Sequence, residues 1–422
     1  MNEANDGLLK NSLAPSKEQR MGRTLLWSNL LSEPLFTLYG FIVFILYKDL
    51  GATAFEVALL TMLKPLVTVL SFYWSAGLKG QVRKLKRNVL WAGFLMRAPF
   101  LLCPWIDSVW FVIAAAVSYM FFYRAAVPAW LEIIKRNMGE GKRGRTFSIS
   151  AALGYAEGVV LALACAGVLD KDPGLWKGLF FGAAVVGLLS LWVQSKIRVE
   201  GEDEQGRERL SLRELIVRPW RDSYRLMRDR LDFSRFQWGF MLSGFGLMLI
   251  QPALPLFAVD VLGVSYLEMA GAISIAKGLG FALSSPIWAK WIDRVSLFKM
   301  ASLVFLSIGL FTVVLSFSVW SIAWLYVAYF WYGVGQGGSH LVWNLSGPIF
   351  AGKEESSRYS GVNVAMAGLR GAIAPPLGSW LALLFGPVQV LLMGGALCFY
   401  SGVRMLQSKF AKEVIPQKTL SR

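Results

Sequence analysis

The sequence predicts an all-α polytopic membrane protein, with twelve transmembrane helices in two six-helix bundles related as parallel repeats around a central cavity. Three observations carry this. Of 422 residues, 55% are hydrophobic and only 17% charged, with a mean hydropathy of +0.50. So few charges cannot cover soluble domains of this size. Twelve apolar runs follow one another, most of them long enough to cross a ~30 Å hydrocarbon core as a helix. Parts of the first six recur in the second six at a nearly constant offset.

Composition also excludes function classes. A formal charge of +16 would suggest nucleic acid in a soluble protein. Here the basic residues cluster in short segments between apolar runs, the pattern of cytoplasmic loops facing anionic lipid, so membrane lipids and no nucleic acid are the expected partners. Cys103, Cys165 and Cys398 lie in or beside apolar runs, which argues against a disulfide framework or a metal cluster. The single histidine, His340, excludes a multi-histidine site. With no nucleophile constellation, phosphate-binding glycine loop or metal spacing, neither an enzyme nor an ATP-driven pump is expected, and no cofactor.

In chain order, residues 1–23 are polar and mixed in charge, and the first apolar run comes too late and is too long for a cleaved signal. They read as a cytoplasmic tail. The spans are placed near 24–47, 53–78, 88–106, 109–134, 146–169 and 174–196, then 234–260, 266–290, 297–318, 320–346, 358–384 and 386–407. This divides the chain into a first bundle, 24–197, a linker, 198–232, a second bundle, 233–407, and a C-terminal tail, 408–422. Loop charge orients it. Lys79, Arg83, Lys84, Lys86 and Arg87 separate spans 2 and 3, and Lys135, Arg136, Lys142, Arg143 and Arg145 separate spans 4 and 5. The alternate loops hold Lys48 with Asp49, Asp107 alone, and Lys171 between Asp170 and Asp172. Both termini are therefore expected in the cytoplasm, in a bacterial inner or other plasma membrane.

The linker opens with RVEGEDEQGRER, too charged to pack. It continues with Leu212, Leu215, Trp220, Tyr224, Met227 and Leu231 at helical spacing against a rim of arginines. That pattern predicts a helix along the inner membrane surface, or one that binds a partner.

An offset of 213 places Lys64 on Lys277, Trp130 on Trp343, Arg145 on Arg358, and Glu157-Gly158 on Arg370-Gly371. An offset of 212 lays LGATAFE (Leu50 to Glu56) on LGVSYLE (Leu262 to Glu268). Six spans per repeat is an even number, so both repeats share one topology about an axis along the membrane normal.

On these residues the chain resembles the major facilitator superfamily over nearly its whole length. The resemblance rests on the six-plus-six layout, the long central loop, the LG-x-(S/T) start of spans 2 and 8, and a basic loop after each. In WAKWIDRVSLFK, Asp293, Arg294 and Lys299 match the family's Asp-Arg loop motif, which implies a gate on the cytoplasmic side. The first-half copy, GLKGQVRKLKR, lacks the aspartate. Span 5, GYAEGVVLALACAG, lacks the Gly-Pro pattern of the family's drug/proton antiporters, which lowers a multidrug or metabolite efflux reading without removing it.

Depth sharpens the expectation. Glu157, Arg370, Lys64 and Lys277 each lie about 11 or 12 residues into their spans, roughly 16–18 Å from the end and near the bilayer midplane. Charges there are functional-site candidates by default. The resembled fold sets span 5 beside span 8 and span 2 beside span 11. That would pair Glu157 with Lys277 and leave Lys64 with Arg370 as two cations calling for an anion; unrelated packing charges or a deprotonated lysine are the alternatives. Gly368, Gly371, Pro375 and Pro376 around Arg370 allow close approach and weaken the helix.

Nearer the cytoplasm, Glu33 in span 1 and Arg124 in span 4 form a candidate proton-coupling pair or a permanent salt bridge; the resemblance implies the former in several subfamilies. Gln251, Gln336 and Asn344 are candidate cavity residues, and His340 is a second proton site. Arg97 in span 3 is expected to be structural. The expected function is secondary transport of a small anionic or zwitterionic organic solute, driven by a proton gradient, by a monomer. The competing reading is a non-transporting sensor or scaffold acting through the central loop.

Overall fold

The computed structural model describes residues 16–76, 82–197, 199, 212–292, 294–352 and 356–412. The N-terminal tail as far as 15, the loop 77–81, the charged start of the linker and Asp293 of the gate motif lie outside the described residues.

A helix or run of helical segments stands at each of the twelve expected spans. In the first half these are α1 (Lys17–Phe44), α2 (Ala54–Ala76), α3 (Val82–Leu95), α4 (Val109–Asn137), α5 (Glu140–Lys171) and α6 (Trp176–Ser195). In the second they are α7 (Leu231–Leu249, continued to Val261), α8 (Tyr266–Ala270, continued to Ile292), α9 (Leu297–Ser316), α10 (Ala323–Ala351), α11 (Ser356–Phe385) and α12 (Pro387–Leu406). Eight candidate spans among the described residues are long and apolar enough to cross a membrane. Neither α10, with Gln336, His340 and Asn344, nor α11, with Arg370, is among them.

α1 starts ahead of the expected boundary at 24. Ser16 accepts from Gln19 N at 3.2 Å while the Gln19 side chain accepts from Ser16 N at 2.9 Å, a capping box that polar sequence alone disguised as a tail. The linker forms a helix at Leu212–Asp229, packed against α11, with Leu226 buried while Trp220 and Tyr224 stay exposed.

The repeat is visible in local structure. α1 ends in a π-helical turn, Ile45–Asp49, and the α7 series ends in another, Phe257–Val261. Each is followed by a glycine in the left-handed region, Gly51 at φ 63° and Gly263 at φ 61°, where a side chain would be strained. Each glycine is followed by a capping box. Glu56 accepts from Thr53 N at 2.8 Å, and Glu268 accepts from Ser265 N at 2.8 Å.

Buried apolar side chains form one cluster that runs through both halves at the end holding these turns, where Phe41 of α1 meets Tyr266 of α8 at a ring distance of 6.3 Å. At the opposite end the clusters stay within one half. Met21, Leu25, Leu85 and Ile133 group in the first, and Phe233, Phe236, Phe298 and Phe350 in the second.

Arg97 is buried at 2% exposure in the first half. Its Nη1 donates to Gly93 O at 2.7 Å, and its Nη2 donates to Ser32 Oγ of α1 at 2.8 Å and to Ser190 Oγ of α6 at 3.1 Å. A Cβ at Gly187 would stand 2.5 Å from its Nε, so the absence of a side chain there makes the room. Arg97 thus ties α1, α3 and α6 together, as expected of a structural residue. Arg97→Ala should lower stability by about 2–4 kcal/mol, since it leaves a cavity and removes the hydrogen bonds that join α3 to α1 and α6. Arg97→Met, which keeps volume, should cost less; thermal unfolding in detergent would show it, and an unchanged midpoint in both would contradict this role.

Candidate functional site

The helices expected to meet across the halves do meet. α2 packs along α11, and α5 contacts the start of α8. Gly371 of α11 lies against Pro65 of α2, so the residues next to Arg370 and Lys64 touch. Arg370 itself turns to α7 and is buried at 8% exposure. Its Nη1 donates to Phe240 O at 2.9 Å, its Cζ stands 5.1 Å from the centre of the Phe240 ring, and it fills the space over Gly244. Its Nε has no hydrogen-bond partner among the described residues. Lys64 Nζ lies 4.8 Å from the centre of the Tyr39 ring of α1.

The expected pairing of Glu157 with Lys277 is not formed. α5 meets α8 through Tyr155, whose hydroxyl donates to Ser274 O at 2.9 Å and whose ring lies against Gly278. Two residues on, Glu157 is turned about 200° round the helix, away from α8. The next residue, Gly158, lies instead against Glu33 of α1. Glu33 occupies a notch between Gly154 and Gly158 of α5, where Cβ atoms would stand 3.6 Å from Oε2 and 2.6 Å from Oε1. Thr37 Oγ1 lies 3.4 Å from Glu33 Oε1. Neither carboxylate forms an ion pair among the described residues.

The pairing of Glu33 with Arg124 is also not formed. Arg124 is exposed, its Cζ 5.9 Å from the Tyr123 ring centre, at one end of a stack in which Tyr39 and Tyr119 lie 4.6 Å apart and Tyr119 and Tyr123 6.0 Å. Lys64 stands at the other end of that stack. α4 therefore brings Arg124 to the aromatic row that carries Lys64, while α5 takes Glu33.

The weaker candidates of the second half are engaged locally. Gln251 Nε2 lies 3.5 Å from Leu247 O and Asn344 Nδ2 donates to His340 O at 2.7 Å, each within its own helix series. Gln336 donates to the Tyr332 hydroxyl at 3.0 Å, and the His340 ring stands edge-on to Phe281 at 6.3 Å. Of the gate motif, Arg294 and Lys299 are exposed and form no ion pair among the described residues.

A set of aspartates that loop charges alone did not single out joins the halves at the end of the π turns. Asp170 of α5 accepts the backbone N–H groups of Tyr266 and Leu267 at 2.7 and 2.8 Å, capping α8 of the other half. First-turn amides have no partner within their own helix and carry the positive end of its dipole, so a carboxylate there binds well. The Tyr266 hydroxyl donates to Asp49 at 2.6 Å, Lys48 Nζ lies 4.7 Å from the centre of the same ring, and the Tyr47 hydroxyl donates to Asp260. Ser379 of α11 donates to Ala54 O at 2.7 Å. The molecule is latched at this end.

A family model described as Major Facilitator Superfamily matches residues 25–375. No relative is found among curated proteins. Among solved structures, a POT family transporter in complex with 5-aminolevulinic acid is similar at TM-score 0.72 and 14% identity, covering 93% of this chain and 96% of that one. The nucleoside transporter NupG is similar at TM-score 0.65 and 12% identity, covering 92% and 100%. A peptide transporter POT in complex with sulfate is similar at TM-score 0.69 and 14% identity, covering 94% and 96%.

Two predictions follow from this geometry. Asp170→Ala removes two charge-assisted hydrogen bonds worth about 1.5–3 kcal/mol each in favourable settings, and so should shift the latched state toward opening by tenfold or more. With the three cysteines replaced by serine, a membrane-impermeant thiol reagent should then reach S274C faster; an unchanged rate would remove the latch assignment. In a double-mutant cycle, Glu157→Gln and Lys277→Met should be additive within about 0.5 kcal/mol, since the two side chains do not meet.

Proposed function

As the chain belongs to the major facilitator superfamily, we propose that it is a secondary transporter of a small anionic or zwitterionic organic solute, working by alternating access and coupled to protons. The observation that carries the reading is the separation of charge in the membrane core. Arg370 is buried without a carboxylate partner among the described residues, on the helix that packs along the one bearing Lys64. Glu33 of α1 faces the stretch of α5 that bears Glu157, and neither carboxylate forms an ion pair among the described residues. A buried guanidinium with an unused donor favours an anionic group brought by the solute. Lys64 and Arg124, at the two ends of the Tyr39–Tyr119–Tyr123 stack, extend that cationic surface within the first half.

The two carboxylates serve protons in this reading. Like charges on facing helices repel, and a proton taken up by either carboxylate relieves the repulsion; release follows when access switches and a water path or a solute cation arrives. This moves the coupling role from a Glu33–Arg124 pair to Glu33 with Glu157. With the orientation that loop charges favour, the Asp170 latch faces outward, and the clusters confined to single halves face the cytoplasm, which makes this an inward-facing state of a plasma-membrane transporter.

Lys64→Ala and Arg370→Ala should each reduce solute binding at least tenfold while the protein still inserts. Glu33→Gln, which mimics the protonated acid, should keep counterflow in proteoliposomes and lose accumulation driven by a pH gradient. Loss of both activities would make Glu33 a structural or solute-binding group, and the absence of counterflow for wild-type protein over a panel of carboxylated, phosphorylated and neutral metabolites would favour the sensor reading.

A further inference from the structure

We infer that the groove between α7 and α12, at the membrane end carrying the linker, is a binding site for an anionic glycerophospholipid. The groove has a volume of about 550 Å³ and is lined by Arg235, Trp238, Gly239, Tyr400, Arg404 and Lys409, among others. Its base is set by close helix contact. Ser401 Oγ donates to Gly239 O at 2.6 Å, and the Met405 side chain covers Gly239, where a Cβ would stand 2.7 Å from its Sδ. The short 3-10 helix Lys409–Lys412 adds Lys409 to its lining.

The cations are gathered rather than dispersed. Arg235 Cζ lies 5.6 Å and Lys409 Nζ 5.1 Å from the centre of the same Phe410 ring, while Arg404 lines the groove from the last turns of α12. None of the three forms an ion pair among the described residues. Three like charges held at one groove repel each other, and an anion seated among them turns that repulsion into attraction.

Depth selects a lipid over a soluble anion. Arg235 sits just past the first turn of α7 and Arg404 in the last turn of α12, near the level of headgroups. Trp238 and Tyr400 lie one turn deeper and are 61% and 58% exposed, the position of aromatic residues at a membrane interface. Leu242 continues the wall toward the hydrocarbon. A basic rim, an aromatic belt and an apolar wall in that order match a negatively charged headgroup with its acyl chains below.

The test uses the full-length protein, delipidated in detergent and titrated with phosphatidylglycerol or phosphatidylcholine of the same chain length under native mass spectrometry. Wild-type protein should retain phosphatidylglycerol at least tenfold more strongly than phosphatidylcholine. R235Q/R404Q/K409Q should remove most of that preference at an unchanged melting temperature, because all three side chains are exposed. Each single substitution should weaken it in part, which keeps the test decisive if the triple variant fails to assemble. Equal retention of the two lipids, an unchanged preference in the variants, displacement by millimolar glycerol 3-phosphate, or loss in K86Q/R87Q on α3 instead would each overturn the assignment.

Discussion

Placing an ionised group inside a membrane requires that protein replace the water it lost, and here the replacement is built from glycine. Arg370 lies over Gly244 and reaches the Phe240 carbonyl; Arg97 fills the space at Gly187 and reaches the Gly93 carbonyl; Glu33 enters the notch of Gly154 and Gly158. In each case a facing helix gives up a side chain so that a charged head can come close to backbone or hydroxyl partners. The arrangement costs helix propensity, since glycine is poor in a helix interior, and gains a satisfied or partly satisfied charge. The packing of α1 on α5, α1 and α3 on α6, and α7 on α11 depends on these three contacts.

The depth of each charge was legible in the sequence, because counting residues along a helix measures distance along the membrane normal. Helix pairing across the halves was legible too, once the repeat and the family resemblance were combined. The direction in which a side chain points was not. In helices that are apolar nearly all round, no polar face marks the side that looks inward, so equal depth let Glu157 and Lys277 pass for partners. Tyr155, one residue beyond Gly154, decides the matter by taking the contact with Gly278 and Ser274. A tyrosine two residues before an acid is a signal that sequence reading can use only after the neighbouring helix is known.

The latch was illegible for a different reason. Asp49, Asp170 and Asp260 read as ordinary loop charges, since their partners stand roughly a hundred or more positions away in sequence. What the sequence does hold is the frame on which they sit. The LG start of α2 and α8 encodes a left-handed glycine and a capping box in both halves, and these fix where each helix begins. Once α8 starts at Tyr266, its first amides point out of the helix end, and α5 ends close enough for Asp170 to accept them.

Tyr47 and Asp260 bond to each other one position out of register between the repeats, since the offset of 212 that relates the π turns and their glycines sets Tyr47 on Val259 and Lys48 on Asp260. The bond sets a phenol of the first half against a carboxylate of the second, a donor facing an acceptor. Asp170 and Asp49, both of the first half, clasp Tyr266 and the first turn of α8. Separation of the halves at this end must therefore break the Tyr47–Asp260 bond and a larger, asymmetric set gathered on the start of α8. That asymmetry makes Asp170, which takes two amides at once, the strongest single tie in the latch.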